Sequence, residues 1–228
     1  SSGYLLIVES LHAELSGVQL TDPLTLIIAL HGDTLLSILV VYWQRIWRLL
    51  GADRRVVGLL IVGTLPAVVV GLGLKSWFEP YLASTLLAGC MLPVTGALLW
   101  WSGRASVGET SYVDMTYRDA ITIGMVQAFA ILPGISRSGA TIATALRLGL
   151  TPDAAATFSF LLALPAIAGA CVLELAGSIG GEAEAIHWPQ IIVGAVIAFL
   201  MGLVALVWLQ NWLRRGRFYM FAYWCVPV

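Results

Sequence analysis

Apolar positions run almost unbroken through this chain, so its short polar interruptions are what divide it into elements. Five apolar runs lie near 24–43, 56–74, 81–101, 154–176 and 190–213. Each is long enough to cross a bilayer as a helix, which takes about 20 residues. A sixth run starts at Phe218 and stops with the chain at residue 228. The pattern predicts an all-α integral membrane protein, a bundle of several spans.

Basic residues in the connections orient the spans, because cytoplasmic loops carry an excess of Lys and Arg. Arg45, Arg48, Arg54 and Arg55 flank the first connection, and Arg214, Arg215 and Arg217 the last, so both are expected inside. The 177–187 connection holds Glu182 and Glu184 without Lys or Arg and is expected outside. Counting crossings from either end then leaves 119–149 starting and finishing on the cytoplasmic side. Its two arms, about 119–132 and about 137–148, are each too short to cross at about 1.5 Å per residue. Pro133-Gly134 separates them. The expectation is a re-entrant helical hairpin with "PGISRSG" at its tip, an irregular backbone tolerated in a membrane only where protein buries it or it lines a wet cavity.

The amino end offers a partner to this hairpin. Ser1-Ser2-Gly3 opens a short apolar arm (residues 4–15) followed by three spans, and Arg137-Ser138-Gly139 opens another followed by two spans and the sixth run. Two such units with opposed first spans form an inverted-topology repeat, whose sites lie near the midplane between the repeats. The division is one polytopic domain: repeat one about 1–101, a cytoplasmic connection about 102–118, and repeat two about 119–228. Chance similarity of short small-residue strings is the competing explanation.

Composition narrows the classes. Of 228 residues 59% are hydrophobic and 11% charged, against about a quarter charged in soluble domains. The formal net charge of −1 provides no basic stripe for nucleic acid. Cys90, Cys171 and Cys225 are widely spaced in apolar sequence and read as packing residues. The chain opens without methionine and closes inside an apolar run, which gives the expectation that both ends are cut.

The tip carries the chemistry. A helix start among small residues offers free backbone N–H groups and the positive end of a helix dipole. Ser136, Ser138 and Thr141 add hydroxyls, Gly134 and Gly139 allow close approach, and Arg137 adds a permanent planar cation. That set suits anionic oxygens, above all phosphate, and an arginine inside a membrane is by default functional. An arginine reaching to the interface or pairing with a buried acid is the alternative. Gln127 either hydrogen-bonds in the same pocket or ties two helices together. His31 and Asp33 lie in the first span and call for polar company, while Glu9 and His12 read as a solvated face.

The stretch "DMTYRDAITIGMVQAFAILPGISRSGATIATALRLGLTPDAAATFSFLLALPA", residues 114–166, resembles the bacterial undecaprenyl-diphosphate phosphatase family associated with bacitracin resistance. "PGISRSGAT" matches its second signature, and "ALHGDTLLSILVVYW" at 29–43 and "GTLPAVVVGL" at 63–72 match other segments. The resemblance implies a multi-pass enzyme of the bacterial inner membrane with paired re-entrant hairpins and inverted repeats. It would remove the terminal phosphate from a polyprenyl diphosphate at a site open to the outer face, recycling the lipid carrier for cell-wall synthesis. A divalent cation, Mg or Ca, is implied as cofactor. Bacitracin acts on the same lipid, and a homodimer is compatible with the family. In the family's first signature, Pro-x-Ser-Ser-x-Gly-His, Ser1 and Ser2 fall on the second serine and the variable position, Gly3 on the glycine, and Tyr4 on the histidine. The resemblance makes Ser1 the nucleophile or a phosphate ligand, Arg137 the diphosphate clamp, and Ser2, Gly3 and Gln127 part of the phosphate surround. Metal ligands would lie upstream of Ser1. Two other readings stay open at this point: a relative that binds or transports polyprenyl phosphates without hydrolysis, with Tyr4 in its favour, and an unrelated small-ion transporter.

Overall fold

The computed structural model describes residues 23–51, 53–77, 84–103, 108–178 and 188–225. The expectations placed on Ser1, Ser2, Gly3 and Tyr4, on the first short arm with Glu9 and His12, and on most of the 177–187 connection lie outside these residues. So do the side chains of His31 and Asp33. Among the described residues the protein is all-α: α1 Pro23–Leu50, α2 Arg54–Trp77, α3 Thr85–Ser102, α4 Tyr117–Phe129, α5 Arg137–Arg147, α6 Pro152–Ser178 and α7 Trp188–Arg214. A 3₁₀ turn (Phe218–Phe221) and a last helical turn, α8 (Ala222–Cys225), follow. Every expected span is a helix. Four of them contain stretches long and apolar enough to cross a membrane: Arg54–Gly73, Thr85–Ser102, Pro152–Val172 and Ala195–Arg214.

The outer faces are as apolar as the core. Val57, Ile61, Leu65, Val68 and Leu72 form one exposed stripe on α2, and Val196, Leu200, Val204 and Val207 form another on α7. Recurrence at three- and four-residue steps puts each set on a single helix face, and only hydrocarbon makes such faces tolerable. Inside, α6 is the central helix, with Ala154 through Ala163 continuously buried. Lipid tails are as apolar as leucine, so close packing of small residues draws the helices together. At the α2–α4 crossing the two backbones touch: a Cβ on Gly124 would overlap the Gly63 carbonyl.

One end of the bundle collects the connections that the arginines marked. The Arg55 guanidinium donates to the carbonyls of Val113 (3.0 Å) and Met115 (2.8 Å). Thr110 pairs with Gly149 and Thr151 through backbone bonds of 3.1 and 3.0 Å. Arg214 meets Asp153 at 2.8 Å. The entry to α4 and the exit from α5 are therefore at the same end, as the crossing count requires. Thr116 opens α4 with a capping box, its hydroxyl accepting from the Asp119 N–H while the Asp119 carboxylate accepts from the Thr116 N–H.

Candidate active site

The chain leaves α4 at Phe129, four residues before Pro133. A proline ring has no N–H to give the carbonyl four positions back and collides with it, so the helix cannot pass Phe129 in register. Three single-turn bonds, from Ile131, Leu132 and Ile135, carry the backbone round the tip. Gly134 turns it at φ +88°, where a Cβ would also overlap the Ala88 carbonyl of α3. Glycine is required there twice over, by conformation and by contact.

Ser136 then caps α5: its hydroxyl accepts from the Gly139 N–H (3.2 Å) and its carbonyl from the Ala140 N–H (2.8 Å). Of the four N–H groups that a helix start leaves over, those of Arg137 and Ser138 keep no intrahelical partner. The tip sits against the middle of α3. Thr95, seven residues and so about 10 Å from the end of that helix, donates its hydroxyl to the Gly134 carbonyl and accepts from the Ser136 N–H, both at 3.0 Å.

The expected site residues divide between two faces of α5. Gly134, Ser136, Ser138 and Gly139 line a cavity of about 250 Å³ together with Thr95, and its other walls are apolar, among them Leu92 and Leu99 of α3, Leu209 of α7, and Phe218 and Phe221 of the 3₁₀ turn. Arg137 and Thr141 do not line it. At about 100° per residue, Arg137 lies about 200° round the helix from Gly139 and about 40° from Thr141. Thr141 is buried, and its hydroxyl donates to the Arg137 carbonyl (2.9 Å). Arg137 is half-buried, and among the described residues its guanidinium makes neither a hydrogen bond nor an ion pair. Gln127 is 1% exposed, and among the described residues neither atom of its amide has a partner. A polar group shut away from water without a partner costs on the order of 1–3 kcal/mol, which applies to the buried Gln127 amide.

Among the described residues no three of His, Cys, Asp and Glu converge on a cation site. The carboxylates of Asp53, Glu109, Asp114, Asp119 and Asp153 all belong to the end of the bundle remote from the tip. The described residues therefore supply no ligand set for the expected divalent cation.

Sequence reasoning missed Thr95 and the aromatic wall. Thr95 had a visible signal, a lone hydroxyl in the apolar run "MLPVTGALLW", but its partners are about forty residues away. Phe218 and Phe221 close the cavity only because the chain turns at Gly216, at φ +66°. Ser159, buried in α6 with an unpartnered hydroxyl, was also not singled out.

Comparison with known proteins gives a consistent result. The family model described as bacitracin resistance protein BacA matches residues 1–228. An undecaprenyl-diphosphatase of Rhodopirellula baltica is 50% identical over 229 residues, covering 100% of this chain and 87% of the relative. An undecaprenyl-diphosphatase of Halothermothrix orenii is 36% identical over 99% of this chain and 86% of its own length. Undecaprenyl-diphosphatase 4 of Bacillus thuringiensis is 41% identical over 196 residues, 86% of this chain and 76% of its own.

Proposed function

The chain belongs to the bacitracin resistance protein BacA family and is a membrane undecaprenyl-diphosphatase, and we propose that its chemistry takes place at the α4–α5 tip. The reaction hydrolyses undecaprenyl diphosphate to the monophosphate and inorganic phosphate: the bond from the terminal phosphorus to the bridging oxygen breaks, and water's oxygen ends on the released phosphate. The reading as a non-hydrolytic binding relative gains nothing from these comparisons, and the small-ion transporter falls with them.

One observation carries the assignment to the tip. Among the described residues, a guanidinium without a partner stands at a helix start where two backbone N–H groups are also unsatisfied. Phosphoryl transfer asks a protein mainly for positioning and for charge stabilisation. Arg137 can bridge two phosphate oxygens with its planar fork, and the Arg137 and Ser138 N–H groups add fixed donors where charge builds up. The unpartnered Gln127 amide supplies further donors from α4. The neighbouring cavity, which Arg137 does not line, is mostly apolar and suits the hydrocarbon length of the lipid.

The remaining roles follow the family resemblance. Ser1 is the nucleophile or a ligand of the phosphate, Ser2 and Gly3 complete the surround, and Tyr4 donates a hydrogen bond, since a phenol of pKa ~10 is no base near neutral pH. Thr141 acts through the backbone of Arg137. The tip sets one formal positive charge against a diphosphate, and a Mg or Ca ion, implied by the family resemblance, would supply further neutralisation. The arginine-rich end faces the cytoplasm of the bacterial inner membrane and the reacting end faces outward, with the hairpin re-entering from the cytoplasmic side within an inverted repeat. Bacitracin would compete for the same lipid head group.

The test is phosphate release from undecaprenyl diphosphate by the purified protein in detergent with Mg or Ca supplied, followed together with the lipid product. Equal amounts of inorganic phosphate and undecaprenyl monophosphate are expected. Tight binding of the lipid without release would return the non-hydrolytic reading.

A further inference from the structure

Four other threonines of the bundle spend their hydroxyls on their own helix. Thr64, Thr122, Thr141 and Thr144 each donate to the carbonyl four residues back, at 2.7–2.9 Å. Thr95 departs from this habit. It is 1% exposed, and its hydroxyl reaches out of α3 to the tip, donating to the Gly134 carbonyl and accepting from the Ser136 N–H. Among the described residues nothing else bonds to either group.

Those two groups flank Ile135, between the left-handed turn at Gly134 and the cap at Ser136. The hydroxyl thus spans the joint that sets the direction of α5. A β-branched side chain on a helix has few χ1 choices, so Thr95 offers its oxygen from a nearly fixed place. Ala88, two turns earlier on α3, meets Gly134 from the same helix. The tip is therefore referenced to α3 at one contact and two hydrogen bonds.

We propose that Thr95 is a positioning residue for hydrolysis: it locks the Gly134–Ser136 joint so that Arg137 and the free N–H groups at the start of α5 hold a single geometry around the phosphoryl group. This rests on the reading of the tip as the reacting site. Preorganised donors act on the transition state only when already in place, and a misplacement of about 1 Å can cost about 10²-fold in rate. Without the Thr95 hydroxyl, the Gly134 carbonyl and the partly buried Ser136 N–H lose the one partner each has among the described residues, and the joint relaxes toward others.

Thr95→Val keeps the shape and removes the hydroxyl, Thr95→Ser keeps the hydroxyl, and Thr95→Ala leaves room for water. Initial rates of phosphate release from undecaprenyl diphosphate, per folded molecule of the full chain, separate kcat from KM. Thr95→Val is expected to lose about 10²-fold in kcat with a much smaller change in KM, and Thr95→Ala to fall in the same direction. Thr95→Ser should stay within about fourfold, the effect of one buried methyl group. Should Thr95→Val not fold, the Ala and Ser pair carries the same comparison. Unchanged kcat in folded Thr95→Val or Thr95→Ala, or a loss confined to thermal stability, would overturn the proposal. Arg137→Ala belongs in the same series. If it kills turnover while folded Thr95→Val runs normally, the positioning role alone fails; if it also runs normally, the tip is not the reacting site and both readings fail.

Discussion

Two glycines at the ends of α5 have nearly the same backbone and different surroundings, so substituting each by alanine weighs the contact that seats the tip. Gly134 has φ +88° and Gly149 φ +86°. Gly149 closes α5 in a Schellman arrangement, with Leu150 N–H donating to Ala145 O (3.2 Å) and Gly149 N–H to Leu146 O (3.1 Å). A Cβ on Gly149 meets nothing within 4 Å, whereas one on Gly134 overlaps the Ala88 carbonyl. The left-handed conformation costs an L-residue about 1–2 kcal/mol, and this applies to both. Forcing a methyl group against backbone adds about 1–3 kcal/mol, and this applies to Gly134 alone. The gain from a stiffer unfolded chain is shared and cancels between them. Gly149→Ala should lower stability by about 1–2 kcal/mol and Gly134→Ala by about 2–5 kcal/mol, read from unfolding titrations in mixed micelles. Activity separates them further: Gly149→Ala should turn over like the parent once folded, and Gly134→Ala should be strongly impaired. Equal stability losses, or a fully active Gly134→Ala protein, would refute the seating of the tip on α3.

Other consequences are open to direct measurement. With Cys90, Cys171 and Cys225 replaced, single cysteines at Asp114 and Arg215 should both react with impermeant reagent from the cytoplasmic side; opposite-side reactivity would end the hairpin reading. Chelation should abolish phosphate release, and Mg or Ca should restore it; undiminished turnover in chelator would remove the cation from the account. Tyr4→His should raise turnover by about 10²-fold or more, the low end for acid–base help, with a new pH dependence near the imidazole pKa of ~6.5 that favours the neutral base above that pH. Equal, brisk turnover in both would show that the site does without the histidine.

The sequence made most of the fold legible because bilayer helices are marked by length and apolarity, which are local properties. Its errors lie where other forces take over. The first run was read to end at residue 43, yet α1 continues to Leu50, since helix propensity does not stop where the hydrocarbon does. The first hairpin arm was read to 132 and stops at Phe129, because the effect of Pro133 reaches one turn back along the chain. At the site, the residue types of the tip suggest an anion cradle, and Gly134, Ser136, Ser138 and Gly139 line one cavity. The helical step of about 100° per residue already sets Arg137 apart from Gly139; what could not be read was that Thr95 bonds to the tip and that Phe218 and Phe221 close the cavity. Each of these depends on partners far along the chain, whose distances no local pattern encodes.

The central claim is that Arg137 clamps the diphosphate through its planar fork, and Arg137→Lys tests it most directly because charge is kept while the fork is lost. With folding verified by monodispersity and thermal unfolding, kcat/KM for undecaprenyl diphosphate should fall by about 10²–10³-fold, the usual cost of removing one well-placed donor from a transition state. A folded lysine variant that hydrolyses undecaprenyl diphosphate as fast as the parent would contradict the account.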